Sequence, residues 1–241
     1  EGLVAYYPFN GNAKDESGNG HNGKVNGATL TIDRHGDSNK AYSFDGMDDE
    51  ILVDHKPELN AFPITISVWC RIEEKQYSMI IAKYKDGLNN GYYLHSRRTG
   101  KIEPSFSKGQ YSGIGGGLRP KAKGYSGPPE TGDLADKAWH QIVFTVNKTQ
   151  GVLYVDGRRI EVTAISSAGI SKPTTEYPLR IGSYNGKQGV GNFFNGRIDD
   201  LRIYDRALGE EEVKALFDYE MYRKLSPEAI SRLRTRAHLP N

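Results

Sequence analysis

ITISVWCRI, residues 64–72, places Ile66, Val68, Cys70 and Ile72 on one side of an extended chain and Ser67, Trp69 and Arg71 on the other. Such alternation, built from β-branched and aromatic residues, is what a strand with one face in a core requires. The signature recurs in GYYLHSR (91–97), KIEPSF (101–106), HQIVFTVN (140–147), GVLYVDG (151–157), PLRIGSY (178–184) and GRIDDLRIYD (196–205). Further extended stretches lie near residues 3–9, 24–31, 41–53 and 78–84. KTQG after Asn147 and the Asp156-Gly157 pair suit hairpin turns, where glycine accepts a positive φ. Short strands punctuated in this way predict an all-β fold of two packed antiparallel sheets. One short C-terminal helix is expected, Leu208 to Phe217, with Glu210, Glu211 and Glu212 at the positive end of its dipole.

A chain of 241 residues fits one sandwich, and no linker divides it. Hydrophobic residues at 37% and 28 glycines suit a core with many tight turns rather than a disordered polymer. The net charge of +2 is interspersed, which gives no basis for a nucleic-acid stripe. No apolar run approaches the roughly 20 residues of a spanning helix, so membrane insertion is not expected. Cys70 is the sole cysteine, which excludes an intrachain disulfide; in phase with Ile66 and Val68, it reads as a buried, inert thiol.

AYYPFNGNAKDESGNGHNG (5–23), SFDGMDDEILV (43–53), TISVWCRI, WHQIVFTVN (139–147), LYVDGRRI (153–160) and GRIDDLRIYDRAL (196–208) follow one another in an order that resembles the concanavalin A-like lectin/glucanase superfamily. Within it the chain is similar to the bacterial laminin G-like jelly-roll domains, from about residue 3 to 217. The resemblance implies a jelly-roll sandwich over 1–218, with 219–241 as a C-terminal tail or helical linker. It implies little about function, because one architecture carries lectin modules, adhesion domains, lyases and glycosidases.

Two chemical readings follow. Calcium takes six to eight oxygens from carboxylates, amides and backbone carbonyls, and such groups gather in the first loop, in SFDGMDDE and near the last strand. Related jelly rolls often hold a calcium tying the N-terminal loop to the last strand. That resemblance makes Asp15 and Asp200 the leading ligands, with Asn12 and Asp199 beside them, around a structural calcium. The competing reading has Asp15 capping a tight turn and Asp199 or Asp200 paired with Arg197 or Arg202.

Strand parity supplies the second. Tyr92 and Leu94 face a core, leaving Tyr93, His95 and Arg97 outside. If this strand and 64–72 share a sheet, Trp69, Arg71, Tyr93, His95 and Arg97 line one groove, with Lys83 and Tyr84 at a rim. Aromatic rings can stack on sugars, while Arg and His suit hydroxyls, carboxylates or sulfates, which favours an acidic polysaccharide. The long connection 107–136 can add Tyr111 as part of a lid, or pack over Trp69 as core. Trp139 reads as a packing residue and His140 as a hydrogen-bonded structural histidine.

A retaining glycosidase needs two carboxylates about 5–5.5 Å apart across a cleft, and no strand here presents alternating acids. The expectation is a non-catalytic glycan-binding module, secreted or at the cell surface, with any signal segment removed. The alternatives are a protein-binding adhesion domain, since laminin G-like domains can bind proteins, and a polysaccharide lyase or glycosidase using His95 with Tyr93 or Tyr111.

Overall fold

The structure is a computed structural model describing residues 1–85, 90–107, 131–164, 172–186 and 189–222. Two antiparallel sheets form the jelly-roll sandwich that the alternation predicts. The eight-stranded sheet runs β12 (Arg158–Ala164), β11 (Gln150–Val155), β10 (His140–Val146), β6 (Ile64–Ile72), β16 (Asn195–Tyr204), β4 (Ala41–Asp45) and β3 (Thr29–Thr31). β1 (Leu3–Tyr7) joins it along the second half of β16, beyond β4. The six-stranded sheet runs β2 (Gly23–Asn26), β5 (Glu50–Val53), β13 (Leu179–Ile181), β7 (Ser78–Lys85), β8 (Asn90–Ser96) and β9 (Ile102–Ser107). A small hairpin, β14 (Tyr184–Gly186) with β15 (Gly189–Gly191), adjoins β7.

Between the sheets, Ile66, Val68, Cys70 and Ile72 of β6 meet Ile51, Val53, Ile81, Tyr92, Leu94 and Phe106 from the opposite layer. Each such side chain contributes about 1.5–3 kcal/mol on burial. Burial also pushes the Cys70 thiol up to about 12, so the cysteine is the inert core residue its phase indicates. Asp156 and Gly157 join β11 to β12 with φ of 51° and 70°, the positive values a two-residue hairpin turn demands. A Cβ on Gly157 would lie 3.0 Å from Phe217, so glycine is also required for the helix to approach.

The helix α1 spans Glu210–Met221, four residues past the expected end. Its carboxylate Glu212 accepts the Gly209 N–H at 3.0 Å, capping the first turn. Val213 and Leu216 pack with Val143, Val152, Tyr154 and Tyr204 on the outer face of the eight-stranded sheet. The continuation past Phe217 is explained by Glu220, which is 1% exposed and bound to the sheet.

One expectation is corrected here. β6 pairs with β10 and β16, whereas β8 pairs with β7 and β9, so the two strands lie in opposite sheets. Their outward residues therefore sit on opposite sides of the molecule and cannot form one groove.

Candidate functional site

Part of the outer face of the eight-stranded sheet, over β6, β10, β11 and β16, is covered by α1. Trp69 is 1% exposed, stacks on Phe217 with ring centroids 5.7 Å apart, and donates its indole N–H to Glu220 Oε2 at 2.5 Å. Gln141 Nε2 donates to the same oxygen at 2.6 Å, and Arg202 pairs with the other. Trp69 is thus a packing residue beneath the helix rather than a sugar platform. Arg71, also on this face, bonds Glu73 at 2.9 Å. Lys83 is placed differently again: it is opposite Tyr92, is fully buried, and donates to Tyr177 O at 2.7 Å, to Thr175 O at 3.3 Å and to His55 Nδ1 at 3.0 Å. Burial lowers its ammonium to about 8.

The expected calcium ligands are occupied by the protein's own donors. Asp15 accepts backbone N–H groups from Tyr6, Ser17 and His21, each at 2.9 Å. Burial acts to raise its carboxyl, but those donations outweigh it and hold it below the usual range. Asn12 is exposed and accepts the Lys14 N–H at 2.8 Å, capping its own turn. Asp199 and Asp200 grip Arg34, Oδ2 to Nη1 at 2.5 Å and Oδ2 to Nη2 at 2.7 Å. A bulge in β16, where Asp200 adopts φ 42°, turns both carboxylates to that guanidinium. Arg202 adds a contact to Asp200 at 3.4 Å. A cation there would face two guanidinium groups, so this donor set does not fit calcium. Asp45, Asp48 and Asp49 do gather within 4.8 Å of one another, but as an acidic cluster alone.

The six-stranded sheet presents a different outer face, and no helix among the described residues covers it. Five rings are in successive contact: Tyr184 to Tyr84 at 6.2 Å, Tyr84 to Tyr93 at 5.0 Å, Tyr93 to His95 at 5.4 Å and His95 to Tyr77 at 4.9 Å. Cross-strand pairing makes this row: Tyr93 is opposite Ala82, and the small alanine leaves room beside Tyr84, which is opposite Gly91. Tyr93 and Tyr184 are partly exposed and Tyr77 is 38% exposed. His95 is buried, and desolvation together with the Arg97 charge lowers it to about 4, so its ring is neutral at ordinary pH.

Both carboxylates on the strands of this face are engaged. Glu50 pairs with Arg180 and accepts Ser183 Oγ at 2.6 Å. Glu103 accepts Arg97 Nε at 2.8 Å and lies 3.5 Å from His95 Nε2. Beyond Tyr77 the row opens into a cavity of about 760 Å³, lined by Gln76, Tyr77, Arg97, Arg98, Thr99, Lys101, Glu103 and Asn192.

Of the residues singled out from sequence, Tyr93, His95 and Arg97 are brought together here; Trp69, Arg71 and Lys83 are not. Tyr111 lies outside the described residues. Tyr77, Tyr184, Arg98 and Glu103 were not anticipated. Parity in KIEPSF could have indicated Glu103, but Tyr77 and Tyr184 sit where strands begin and carry no alternation signal.

A family model described as the concanavalin A-like lectin/glucanases superfamily matches residues 44–214. No curated protein matches the chain. Among solved structures, the binding domain of Paraclostridial Mosquitocidal Protein 1 is similar with TM-score 0.66 and 19% identity, over 90% of this chain and 52% of that one. Domain 4 of AbnA, a GH43 extracellular arabinanase from Geobacillus stearothermophilus, solved with arabinotriose, gives 0.63 and 18% identity over 89% and 97%. The receptor binding domain of botulinum neurotoxin mosaic serotype C/D gives 0.61 and 16% over 92% and 51%. The chain therefore spans about half the length of these toxin domains. At these identities the likeness is one of fold.

Proposed function

The chain belongs to the concanavalin A-like lectin/glucanases superfamily, and we propose that it is a non-catalytic carbohydrate-binding module whose ligand lies along the tyrosine row of the six-stranded sheet. The observation that carries this reading is the unbroken contact from Tyr184 through Tyr84, Tyr93 and His95 to Tyr77. Tyr184, Tyr93 and Tyr77 are the accessible rings of the row, alternating with the buried Tyr84 and His95, and tyrosine offers an apolar face for sugar C–H groups with a hydroxyl at its edge. α1 packs on the outer face of the other sheet, whereas no helix among the described residues lies over this one. The arginines around the row favour an acidic polysaccharide.

Binding without turnover is supported by Glu50 and Glu103, each already neutralised by an arginine, which is a poor arrangement for a general acid and base. A similar fold solved with arabinotriose, and others solved as toxin receptor-binding domains, accord with a secreted or surface-exposed module. No helix among the described residues is long and apolar enough to cross a membrane.

Affinity electrophoresis against neutral and acidic polysaccharides tests the reading, with wild type beside Tyr93→Ala. Retardation of wild type and its loss in a folded Tyr93→Ala protein are expected. Capture of a protein ligand with no retardation by any glycan would replace it with the adhesion reading, and release of shortened sugars would replace it with an enzymatic one.

A further inference from the structure

The cavity at the end of the tyrosine row lies between two hydrogen-bonded walls. One is the β8–β9 turn, where the Arg97 N–H donates to Lys101 O at 2.8 Å and the Gly100 N–H to Arg97 O at 2.9 Å. Gly100 takes φ 77°, a conformation that closes the turn and leaves Arg98 and Thr99 at its tip. Residues 131–134 brace it from behind: Leu134 N–H donates to Gly100 O at 3.0 Å, and Thr131 Oγ1 accepts the Ile102 N–H at 2.8 Å. Lys75 pairs with Asp133 across the same brace. The opposite wall is Gln76, Tyr77 and Asn192. Gln76 Nε2 donates to Phe193 O at 3.1 Å, and Asn192, with its carbonyl accepting Met79 N–H at 2.8 Å, is held at φ 51°. Strained, over-determined backbone of this kind recurs where a protein pre-organises a binding wall.

Arg97 and Arg98 line the cavity together with one acid, Glu103. Both oxygens of Glu103 are already engaged, one by Arg97 Nε and the other towards His95. Arg97 spends only its Nε on Glu103, so its Nη edge remains available, and Arg98 has no ion-pair or hydrogen-bond partner among the described residues. A guanidinium edge presents two parallel N–H donors, a geometry matched to the planar oxygens of a carboxylate and to two oxygens of a sulfate. Tyr77, the last ring of the row, forms part of the same cavity.

We infer that this cavity is a subsite for one anionic substituent of the bound glycan, a uronate carboxylate or a sugar sulfate, held by Arg98 and the Nη edge of Arg97 while its sugar ring seats on Tyr77. The inference rests on the tyrosine row being a glycan platform, and it assigns the acidic preference to a specific place. Glu103 serves as a positioning residue that fixes Arg97 through Nε and leaves its outer edge for ligand.

An array of neutral, uronate-bearing and sulfated oligosaccharides, probed with wild type, Arg98→Gln and Tyr93→Ala, tests it. Arg98 is exposed at a turn tip, so its substitution leaves the fold intact, and a melting curve verifies that. Wild type should bind acidic members, more weakly as salt rises. Arg98→Gln should lose about tenfold or more on those members and nothing on neutral ones. Uronate binding without sulfate binding, or the reverse, identifies which anion the site takes. If wild type prefers neutral sugars, or Arg98→Gln keeps full affinity for acidic ones, the subsite is overturned and the platform stands. If Tyr93→Ala binds as wild type does, or wild type binds nothing, the platform falls and the subsite with it.

Discussion

Replacing Arg34 with methionine should cost close to half of the domain's stability. The arginine side chain is 2% exposed and its two Nη groups each hold a carboxylate, Asp199 at 2.5 Å and Asp200 at 2.7 Å, with both acids fully buried. Its guanidinium carbon also lies 4.5 Å over the Trp69 ring, and Nη2 donates to Glu220 O at 3.2 Å. Methionine keeps much of the volume but leaves two buried charges with Arg202 as the nearby cation. Breaking a buried pair in this way costs about 3–5 kcal/mol, against a total near 5–15 kcal/mol for a typical domain. In a chain of this size that corresponds to a melting point lower by roughly 6–20 °C. Urea denaturation read by tryptophan fluorescence measures it, with the midpoint falling and the slope unchanged. Asp199→Asn should cost less in the Arg34→Met background than in wild type, because the acid it removes is by then uncompensated. A loss under about 1 kcal/mol refutes the reasoning. So does a wild-type melting point that falls on chelation, because the carboxylates would then be serving a divalent cation instead of the arginine.

Trp69→Ala should lower stability by about 3–5 kcal/mol, as a large ring is removed from beneath α1, while leaving glycan affinity of the folded fraction unchanged; loss of binding at full stability would return Trp69 to the ligand site. His95 titrates at about 4 when folded and near 6.5 when unfolded, so the unfolded chain takes up its proton first as pH falls. Stability should therefore drop between pH 6.5 and 4, by about 3 kcal/mol at most, and calorimetry across that range should show a shallower drop for His95→Gln. Lys83 works at the alkaline end: with a folded value of about 8 against 10.5 unfolded, the folded chain releases its proton first. Stability should gain a rising contribution between those pH values, and a Lys83→Met protein that shows the same slope would contradict it.

Much of the fold was legible because the side-chain period of a strand is a local property. ITISVWCRI gave β6 its limits and its inward set, and GYYLHSR gave Tyr92 and Leu94 to the core. Parity says nothing about which sheet a strand joins, because pairing of β6 with β10 and β16 depends on residues far away in sequence. Trp69 illustrates the consequence: its outward phase was readable, but its cover arrives as Phe217 and Glu220, about 150 residues later. Asp199 and Asp200 show a second limit. Strict alternation sends neighbours to opposite faces, and only the bulge in β16 lets both reach Arg34. At the candidate site, Tyr93, His95 and Arg97 were legible by parity; the row they join requires Tyr84 and Tyr184 from other strands.

β1 lies along β16, and α1 returns over that same sheet, so the chain enters and leaves the described fold on the side away from the tyrosines. A tether leaving the described fold at Leu3 or Met221 would start on the side opposite the tyrosine row and leave that row towards solution. Copies strung head to tail could then grip one polymer at several points, and their combined hold would grow with linker length matched to the spacing of the sites rather than with any new contact.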